Sequence, residues 1–351
     1  MMSTIPFLTR LRGQDVIGMD LGGSGIKLVR IHRQKDGKVE STTGWCYPGA
    51  LEEVDVPAFR EYLRTQKLAG SIVACNIEDS SLKIRRVELP KMPDFDLREA
   101  VRWQLRDVVD GPIADYIIRY SLIEEISVGE TRKLSLLVYA IRKSKVQKVT
   151  DLLKRLTLKP VVVEPTSVSL LALFDHLKGW KTGETYGVID LGETKSVFSA
   201  VSEGRLLFSR PLSGISGRQF REMIEKELGL PTEDAEEIKR ALMGQGFSEG
   251  RAAQLAAQWK EKACALLPFL HTKIAIEVQK SVDAFTLMFR REKMDSLFLC
   301  GGGASLQGVD DYLTKNLAIP TSLLDPREKF DISGTSPCFY NAALGLALYP
   351  L

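Results

Sequence analysis

The sequence predicts an α/β protein built from two similar halves, with a smaller α+β segment inserted into the first half. Three observations support this prediction. A strand–turn–strand pattern occurs twice, over residues 15–31 and 185–201, and such long-range repetition indicates duplicated structural units. A third, glycine-rich turn at 301–303 follows a short apolar strand near the end of the chain. Between the two copies, residues 80–164 carry their own alternation of strand and helix patterns.

The two copies read DVIGMDLGGSGIKLVRI and TYGVIDLGETKSVFSAV. Each begins with an apolar strand that ends in Asp-Leu-Gly, continues through a small polar turn and enters a second strand. Asp20 corresponds to Asp190 and Gly22 corresponds to Gly192, with the same separation along the chain. A single Asp-Leu-Gly would be weak support, but its repetition in the same context favours two related halves.

The third element is a strand predicted over 296–300, followed by a turn with the sequence GGGAS and a helix over 308–317. Glycine lets a backbone come close to a ligand, and the N–H groups at a helix N-terminus point outward. A strand that leads into such a turn is therefore a candidate site for ligand oxygens. For this turn, as for each of the others taken alone, the alternative is an ordinary tight turn.

The inserted segment and the second half contain further predicted elements. In the inserted segment the patterns predict a strand at 81–89, a helix at 94–109 capped by Asp94 or Asp96, a strand pair at 116–125 and 132–141, a helix at 143–156 and a strand at 160–164. In the second half they predict helices at 216–228, 232–243 and 251–291, the last with a break at Pro268.

The composition argues against several classes of protein. The chain has 48 basic and 45 acidic residues among 351, and this balance argues against a nucleic-acid or bulk-membrane partner. No apolar run approaches the ~18–20 residues of a membrane span, and the start of the chain lacks the pattern of a secretory signal. The five cysteines form no CxxC, which predicts reduced thiols, a cytosolic setting and no zinc site.

The three turns together match the needs of a nucleoside triphosphate with a divalent ion. Phosphates need backbone N–H groups at close range, and Mg²⁺ is held by carboxylates, often through water. We expect Asp20 and Asp190, at their strand ends, to face the metal through water. We expect the two turns to hold the phosphates from opposite sides, through Gly22, Gly23, Ser24, Gly25, Gly192, Glu193 and Thr194. Beneath the nucleoside we expect the turn formed by Gly301, Gly302, Gly303 and Ala304.

The order of these motifs resembles the actin-like ATPase superfamily, which includes actin, sugar kinases, the seventy-kilodalton heat-shock chaperones and the bacterial division protein FtsA. There the three elements are called the phosphate-1, phosphate-2 and adenosine motifs. The resemblance implies an actin-like (ribonuclease H-like) fold of two lobes, with ATP or ADP and Mg²⁺ as cofactors. It also adds Lys27 and Gly214 to the expected nucleotide contacts.

Three further candidates follow from the resemblance, and each has an alternative. The segment DAEEIK resembles the A-E-x-x-K helix of FtsA-like proteins, so Glu236 and Lys239 would contact ribose and base; otherwise they form a Glu–Lys pair on a solvated helix. Lys195 would reach a phosphate, or it is simply exposed. Glu164 is the candidate for the catalytic carboxylate that positions water in actin-like hydrolases. Because a proline follows it, Glu164 could equally be a strand-end residue that opens the connecting helix.

Within the superfamily the chain is similar to the PilM family of type IV pilus assembly over nearly its whole length. Three segments carry this similarity: IGMDLGGSGIKLVRI, VELPKMPDFDLREAVRWQLRDVV and LLVYAIRKSKVQKVTDLLKRLTLKPVVVEPTSVSLL. The resemblance implies that residues 14–79 begin the first actin-like lobe and that 80–164 form an inserted SHS2-type α+β subdomain. Residues 165–345 would then contain the connecting helix, the second lobe and the return to the first.

Three departures from the family pattern bear on catalysis and binding. Lys195 stands in the second turn where the family usually has a small or hydroxylated residue. Asp110-Gly111-Pro112 stands where the family usually has Ile-Pro-Phe-Pro. Gly23 and Gly25 stand where serine is usual in the first turn, which leaves Ser24 as its one hydroxyl. These differences weaken the case for vigorous hydrolysis more than the case for binding, so we expect at most a slow ATPase.

The resemblance implies an ATP-binding cytoplasmic component of the type IV pilus inner-membrane platform, and so a part in twitching motility. Its expected partner is the cytoplasmic N-terminal peptide of the inner-membrane protein PilN, which would keep this protein peripheral at the inner membrane. Other platform proteins and motor ATPases are further candidate partners, whereas nucleic acid is not. The alternatives are a small-molecule kinase, an FtsA-like filament tethered to the membrane and a type II secretion platform protein.

Overall fold

The computed structural model describes residues 15–34, 39–128, 131–243, 258–259, 261–290, 293–332 and 336–348. These residues fold into two units. The first unit combines the chain up to Ile77 with Thr150–Gly179 and with the chain from Leu324 onward. The second unit combines Glu78–Val149 with Trp180–Leu323.

The described strands lie in three sheets, and the helices join them. The strands are β1 (Val16–Gly22), β2 (Gly25–Arg33), β3 (Val39–Pro48), β4 (Ile72–Asn76), β5 (Lys83–Pro90), β6 (Tyr116–Val128), β7 (Thr131–Arg142), β8 (Lys159–Glu164), β9 (Tyr186–Leu191), β10 (Ser196–Ser202), β11 (Arg205–Leu212), β12 (Ser296–Cys300) and β13 (Thr321–Leu323). The α-helices are α1 (Val56–Thr65), α2 (Asp94–Gln104), α3 (Lys143–Arg155), α4 (Thr166–Lys178), α5 (Gly217–Leu228), α6 (Thr232–Leu242), α7 (Leu267–Phe289), α8 (Val309–Leu317) and α9 (Asn341–Ala347).

The first unit is built on a five-stranded sheet in the order β3-β2-β1-β4-β8. β1, β2 and β3 form an antiparallel meander, β4 runs parallel to β1, and β8 runs parallel to β4. Helix α9 packs on β1, where a Cβ atom at Gly18 would collide with the carbonyl oxygen of Ala343. Gly18 therefore lets the helix lie close to the strand and cover its apolar side chains.

The second unit contains a five-stranded sheet in the order β11-β10-β9-β12-β13. Its first three strands are again antiparallel, and β12 and β13 are again added in parallel. The order and direction of the strands therefore repeat those of the first sheet, as the duplicated sequence pattern predicts.

A three-stranded antiparallel sheet, in the order β5-β7-β6, also belongs to the second unit. Leu97 and Val101 of α2 pack into the core beside it. β8 lies in the predicted 80–164 segment, but it pairs with β4 of the first unit's sheet. The division of the chain at residues 14–79, 80–164 and 165–345 stays a prediction.

Helix α2 differs from the sequence prediction at both ends. Its N-cap is Pro93, whose fixed φ suits a helix start, and neither Asp94 nor Asp96 acts as the cap. The Asp94 carboxylate instead accepts hydrogen bonds from Arg98 and Tyr120. The helix also ends at residue 104 rather than 109, and residues 105–110 form turns and bends.

The helices of the second half largely follow their sequence signals. The Ser216 hydroxyl caps α5 by accepting a hydrogen bond from the backbone N–H of Gln219, and Gly229 ends the helix with a left-handed backbone. Pro268 lies in the first turn of α7, just after a turn at 265–266. Residues 251–257 and 260 of the predicted 251–291 helix lie outside the described residues. Within the described ranges, no helix has both the length and the apolar character to cross a membrane.

Candidate functional site

Asp20 lies at the centre of a buried polar network in the first unit. One carboxylate oxygen, Oδ2, lies 3.0 Å from the Lys27 ammonium, which projects from the opposite position on β2. The other oxygen, Oδ1, accepts a hydrogen bond of 2.6 Å from the side-chain amide of Asn76. The Lys27 ammonium also faces the ring of Phe339 at 5.1 Å. Two of the predicted site residues, Asp20 and Lys27, are therefore in direct contact.

Asn76 also belongs to this network, although no motif in the sequence predicts it. Its amide donates to Asp20 and to the Thr166 hydroxyl, and its oxygen accepts from the backbone N–H of Leu21. It ends β4, which lies parallel to β1 and reaches the same edge of the sheet. The available signal was an apolar strand, IVACN, that ends in an amide side chain.

The first predicted phosphate turn is a tight hairpin between β1 and β2. Gly22 pairs with Gly25 across the hairpin, so that Gly23 and Ser24 form its tip. A Cβ atom at Gly22 would lie 2.7 Å from the Lys27 ammonium, and one at Gly25 would lie 2.9 Å from the carbonyl oxygen of Tyr47. Gly25 is therefore required by a backbone contact whether or not a ligand is bound, whereas a side chain at Gly22 would displace the end of the Lys27 side chain.

Glu164 is the last residue of β8 and lies at the level of Asn76 on β4. Its backbone oxygen accepts a hydrogen bond from Ile77, and Pro165 then caps α4. These features match a strand-end residue that opens the connecting helix. Burial raises the pKa of its carboxyl to about 8, so the group is mostly protonated at neutral pH. The catalytic role of Glu164 stays a prediction.

In the second unit, Asp190 and the glycine-rich turn meet at the ends of two parallel strands. Asp190 on β9 pairs with Cys300, the last residue of β12, and Gly301 follows directly. A Cβ atom at Gly301 would collide with the Asp190 carboxylate, and one at Gly303 would lie 2.8 Å from the Cβ of Leu191. No described atom lies within 4 Å of the Cβ position at Gly302. The turn therefore packs tightly against β9 at its two outer glycines and is open at the middle one.

The turn continues into a 3₁₀ helix, Gly302–Ser305, before α8 begins. Ala304 is buried within that short helix. The sequence predicted a helix from 308, and α8 begins at Val309 with Gly308 as its cap. The glycine turn and the N-terminus of α8 are thus separate features, and the predicted oxygen site would depend on the turn.

The second predicted phosphate turn, 192–195, is fastened to the start of α5. The backbone N–H of Gly217 donates to the carbonyl oxygen of Gly192 at 2.9 Å, and that of Arg218 donates to Glu193 at 2.8 Å. Two N–H groups at the N-terminus of α5 are therefore already bonded and do not point at a ligand. A Cβ atom at Gly192 would also collide with the carbonyl oxygen of Lys195, which makes the turn as tight as the first.

Lys239 of α6 connects this turn to the DAEEIK helix. Its ammonium lies 2.7 Å from Glu193 Oε2 and 2.8 Å from Glu236 Oε2, and the residue is 3% exposed. The i,i+3 Glu–Lys pair of the alternative interpretation is present, but it is buried rather than solvated. Contacts of Glu236 and Lys239 with ribose and base stay a prediction.

Lys195 forms an ion pair with Glu78, with 2.9 Å between Nζ and Oε2. Its side chain is about one-third exposed. Neither alternative for this residue, a phosphate contact or simple exposure, included this pairing, and Glu78 carried no signal in the sequence. Lys195 therefore links the turn to the start of the segment that precedes β5.

Gly214 lies between β11 and α5, with a positive φ of 70° and no described atom within 4 Å of its Cβ position. The residue before it, Ser213, donates its backbone N–H to the carboxylate of Glu277 on α7. The hydrogen bond from Lys280 lowers the pKa of the Glu277 carboxyl, and the Ser213 hydrogen bond and the nearby Arg210 lower it further. There is thus open space beside Gly214, and the buried carboxylate of Glu277 fixes the backbone just before it.

The predicted residues therefore collect into two groups, one in each unit. The first unit holds Asp20, Gly22, Gly23, Ser24, Gly25, Lys27 and Glu164, and the second unit holds Asp190, Gly192, Glu193, Thr194, Lys195, Gly214, Glu236, Lys239, Gly301, Gly302, Gly303 and Ala304. In the part of the chain that the structure describes, no three His, Cys, Asp or Glu side chains come together as a metal site. The metal-binding role of Asp20 and Asp190 stays a prediction.

The match to a known family extends over most of the chain. A family model described as type IV pilus assembly protein PilM matches residues 18–348. The chain belongs to this family. The sequence resemblance to PilM is thereby confirmed, and with it the assignment to type IV pilus assembly.

Solved structures similar to this chain include a PilM–PilN type IV pilus biogenesis complex. That structure is 22% identical, with a TM-score of 0.75, and the match covers 95% of this chain and 98% of that one. The ethanolamine utilization protein EutJ from Carboxydothermus hydrogenoformans is 15% identical, with a TM-score of 0.52, over 95% of this chain and 89% of that one. At these identities the likeness shows the fold alone. It confirms the actin-like fold, while the SHS2-type character of the inserted segment stays a prediction.

Proposed function

We propose that this PilM-family protein binds ATP or ADP with Mg²⁺ and uses the bound nucleotide to hold a shape that a pilus-assembly partner recognises. The observation that carries the proposal is the meeting of Asp190 with the 301–304 turn at the ends of β9 and β12. The edge where parallel strands end is where α/β proteins place ligands. The tight 192–195 turn leaves the same strand, β9, directly after Asp190 and Leu191.

The residues of each unit fit a nucleotide in different ways. In the second unit, the open positions at Gly214 and Gly302 would accept a ligand, and the backbone of the 192–195 turn would supply N–H groups to phosphates. In the first unit, Asp20 is already bonded to Lys27 and Asn76, so it would act on Mg²⁺ through water. The bound nucleotide would supply a polyphosphate chain to these turns.

Hydrolysis is expected to be slow at most. A carboxyl that helps water attack must accept its proton, and Glu164 already carries one at neutral pH because burial raises its pKa to about 8. The first turn also has glycines at two positions where the family usually has serine. We therefore propose that the nucleotide acts mainly as a structural and regulatory ligand.

The proposed protein partner is the cytoplasmic N-terminal peptide of a PilN-type inner-membrane protein. Membership of the PilM family supports this proposal, and the similar solved structure is described as a PilM–PilN complex. The partner would hold this protein peripherally at the cytoplasmic face of the inner membrane. Other platform proteins and motor ATPases remain candidates for further contacts.

Calorimetry with Mg·ATP and Mg·ADP tests the nucleotide proposal. We expect binding to the full chain, and a loss of affinity of roughly tenfold or more in Asp190→Ala. Asp311→Ala removes an exposed carboxylate from α8 of the same unit and should leave binding unchanged. Equal affinity in Asp190→Ala and the wild type would refute the role of Asp190. No binding by the wild type, with no nucleotide retained on purification, would refute the proposal as a whole.

Titration of synthetic peptides tests the partner proposal. The peptide should correspond to the cytoplasmic N-terminus of a PilN-type protein encoded near this chain, and a scrambled peptide of the same composition is the control. We expect saturable binding of the first peptide, with an affinity that differs between nucleotide-loaded and nucleotide-free protein because the ligand would change the population that binds. Equal, weak binding of both peptides would argue against PilN as the partner.

A further inference from the structure

Lys239 is a buried cation with two carboxylate neighbours, and one of them belongs to the second phosphate turn. Its ammonium lies 2.7 Å from Glu193 and 2.8 Å from Glu236. A buried ammonium is costly unless it is paired, so these two contacts determine where the Lys239 side chain lies. The pair with Glu193 spans 46 residues of sequence and joins α6 to the turn.

Glu193 is held from a second side by α5. A Cβ atom at Gly217 would collide with Glu193 Oε2, so the carboxylate lies directly against the first residue of the helix. The positive end of the helix dipole favours a carboxylate at this position. Together with the two backbone hydrogen bonds from Gly217 and Arg218, these contacts fix both the backbone of the turn and the direction of the Glu193 side chain.

The negative charge of Glu193 explains why its side chain needs the contacts with Lys239 and with the start of α5. A carboxylate in a turn that approaches a polyphosphate would repel it if the side chain pointed toward the ligand. At the corresponding position of the first turn the chain has Gly23, which carries no charge and needs no counter-ion. The second turn therefore has an anionic side chain, and Lys239 with the start of α5 holds it in place.

We propose that Lys239 is a positioning residue: it holds the Glu193 carboxylate away from the phosphates and so sets the affinity of the 192–195 turn for a polyphosphate chain. This inference rests on the proposed nucleotide binding. It differs from the ribose and base contact expected for the DAEEIK helix, because Lys239 acts through Glu193 and does not touch the ligand.

A pair of substitutions separates these two roles. Lys239→Met removes the ammonium and leaves Glu193 without its counter-ion, and we expect the affinity for Mg·ATP to fall roughly tenfold or more. Adding Glu193→Gln removes the charge that Lys239 holds, and we expect the double variant to regain most of the lost affinity. Lys226→Met is the matched control, because it makes the same change at an exposed lysine of α5. Circular dichroism and thermal unfolding of each variant show whether it is folded.

The comparison stays decisive even if Lys239→Met does not fold. Glu193→Gln and the double variant Glu193→Gln/Lys239→Met then form the test, and our proposal expects the same Mg·ATP affinity for both within about twofold. A loss of roughly tenfold from the first to the second would show direct contact of Lys239 with the nucleotide and overturn the inference. Absence of Mg·ATP binding by the wild type would instead refute the nucleotide proposal itself.

Discussion

The two Asp-Leu-Gly hairpins have the same strand pairing but different side chains opposite the aspartate. On β2, Lys27 stands opposite Asp20 and forms an ion pair with it. On β10, the residue opposite Asp190 is Val197. The backbone of the duplicated element has therefore been kept, while the charge across the strand pair has changed.

The parallel strands beside the two hairpins, β4 and β12, also differ in the side chains at their ends. In the first unit β4 ends in Asn76, whose amide is bonded to Asp20, to Thr166 and to the backbone of Leu21. In the second unit β12 ends in Cys300, whose thiol donates to the backbone oxygen of Ile189, and a glycine-rich turn follows.

The two copies of the hairpin therefore have different side-chain surroundings. The first aspartate is part of a closed network that joins three elements, and that network stabilises the unit. The second lies against a turn of glycines that leaves open space at Gly302. Under the proposed nucleotide binding, the first copy would mainly stabilise its unit, and the second copy would mainly approach the ligand.

Lys27→Met should have the largest effect on stability, because it leaves the buried Asp20 carboxylate without its cation. We expect the free energy of unfolding of the first unit to fall by about 3–5 kcal/mol, measured by urea denaturation. The double variant Asp20→Asn/Lys27→Met should recover much of this loss. In the second unit, Val197→Met makes a similar side chain at the corresponding position and should cost far less. If Lys27→Met and Val197→Met lowered the free energy of unfolding equally, the proposed difference between the two hairpins would be wrong.

The parts of the site that the sequence predicted are those determined by local chain geometry. The Asp-Leu-Gly strands, the glycine turns and the caps Ser216 and Gly229 each follow from a few adjacent residues. The long-range contacts could not be predicted in this way. Glu78 meets Lys195 across 117 residues, and Lys239 meets Glu193 across 46, so neither pair leaves a periodic or turn-like signal in the sequence.

Two of the differences between sequence and structure have separate physical causes. The sequence predicts Asp94 or Asp96 as the cap of α2, but Arg98 and Tyr120 bind the Asp94 carboxylate, and Pro93 is the N-cap. The polar end of β4 carries no distinctive signal in the sequence, because a single Asn after an apolar strand is common. Its importance depends on β4 lying beside β1, which is a property of the sheet order.

A second prediction concerns the outer parallel strands, since β8 ends in Glu164 whereas β13 ends in Leu323. The folded pKa of Glu164 is about 8, above its ordinary value of 4.5, so the folded state holds this proton more strongly than the unfolded state. The stability that this stronger proton binding contributes is fully present below pH 4.5, the ordinary pKa. It is lost as the pH rises towards about 8, the pKa in the folded state. The slope approaches about 1.4 kcal/mol per pH unit.

The measurement compares the wild type with Glu164→Gln by urea denaturation at several pH values across this window. Gln cannot ionise, so the variant should gain stability relative to the wild type as the pH rises. Other titrating groups are common to both proteins and cancel in the difference. A difference that does not change with pH would show that Glu164 does not hold its proton in the folded protein, and would remove the objection to a catalytic role.

Asn76→Ala sharpens the comparison of β4 with β12. It deletes the amide that bonds Asp20, Thr166 and Leu21, and the loss of one hydrogen bond at each of these buried groups is unfavourable. We expect a loss of about 1–3 kcal/mol in the free energy of unfolding. The corresponding Cys300→Ala change removes a weak thiol donor and a small buried volume, so we expect about 1 kcal/mol. A larger cost for Cys300→Ala would mean that the second copy also depends on this position for its stability.

Lys195→Gln should have the smallest effect, and it examines the last position at which the two turns differ. Gly25 occupies the corresponding place in the first turn, whereas Lys195 pairs with Glu78 and both side chains are partly exposed. Water and salt weaken such a pair, so we expect a loss of at most about 1 kcal/mol that shrinks further at high salt. Glu78→Gln should give the same small loss, and the double variant should cost no more than either single change. A loss of several kcal/mol would mean that this pair stabilises the second turn as strongly as Lys27 stabilises the first, and the two hairpins would then be alike in relying on a lysine.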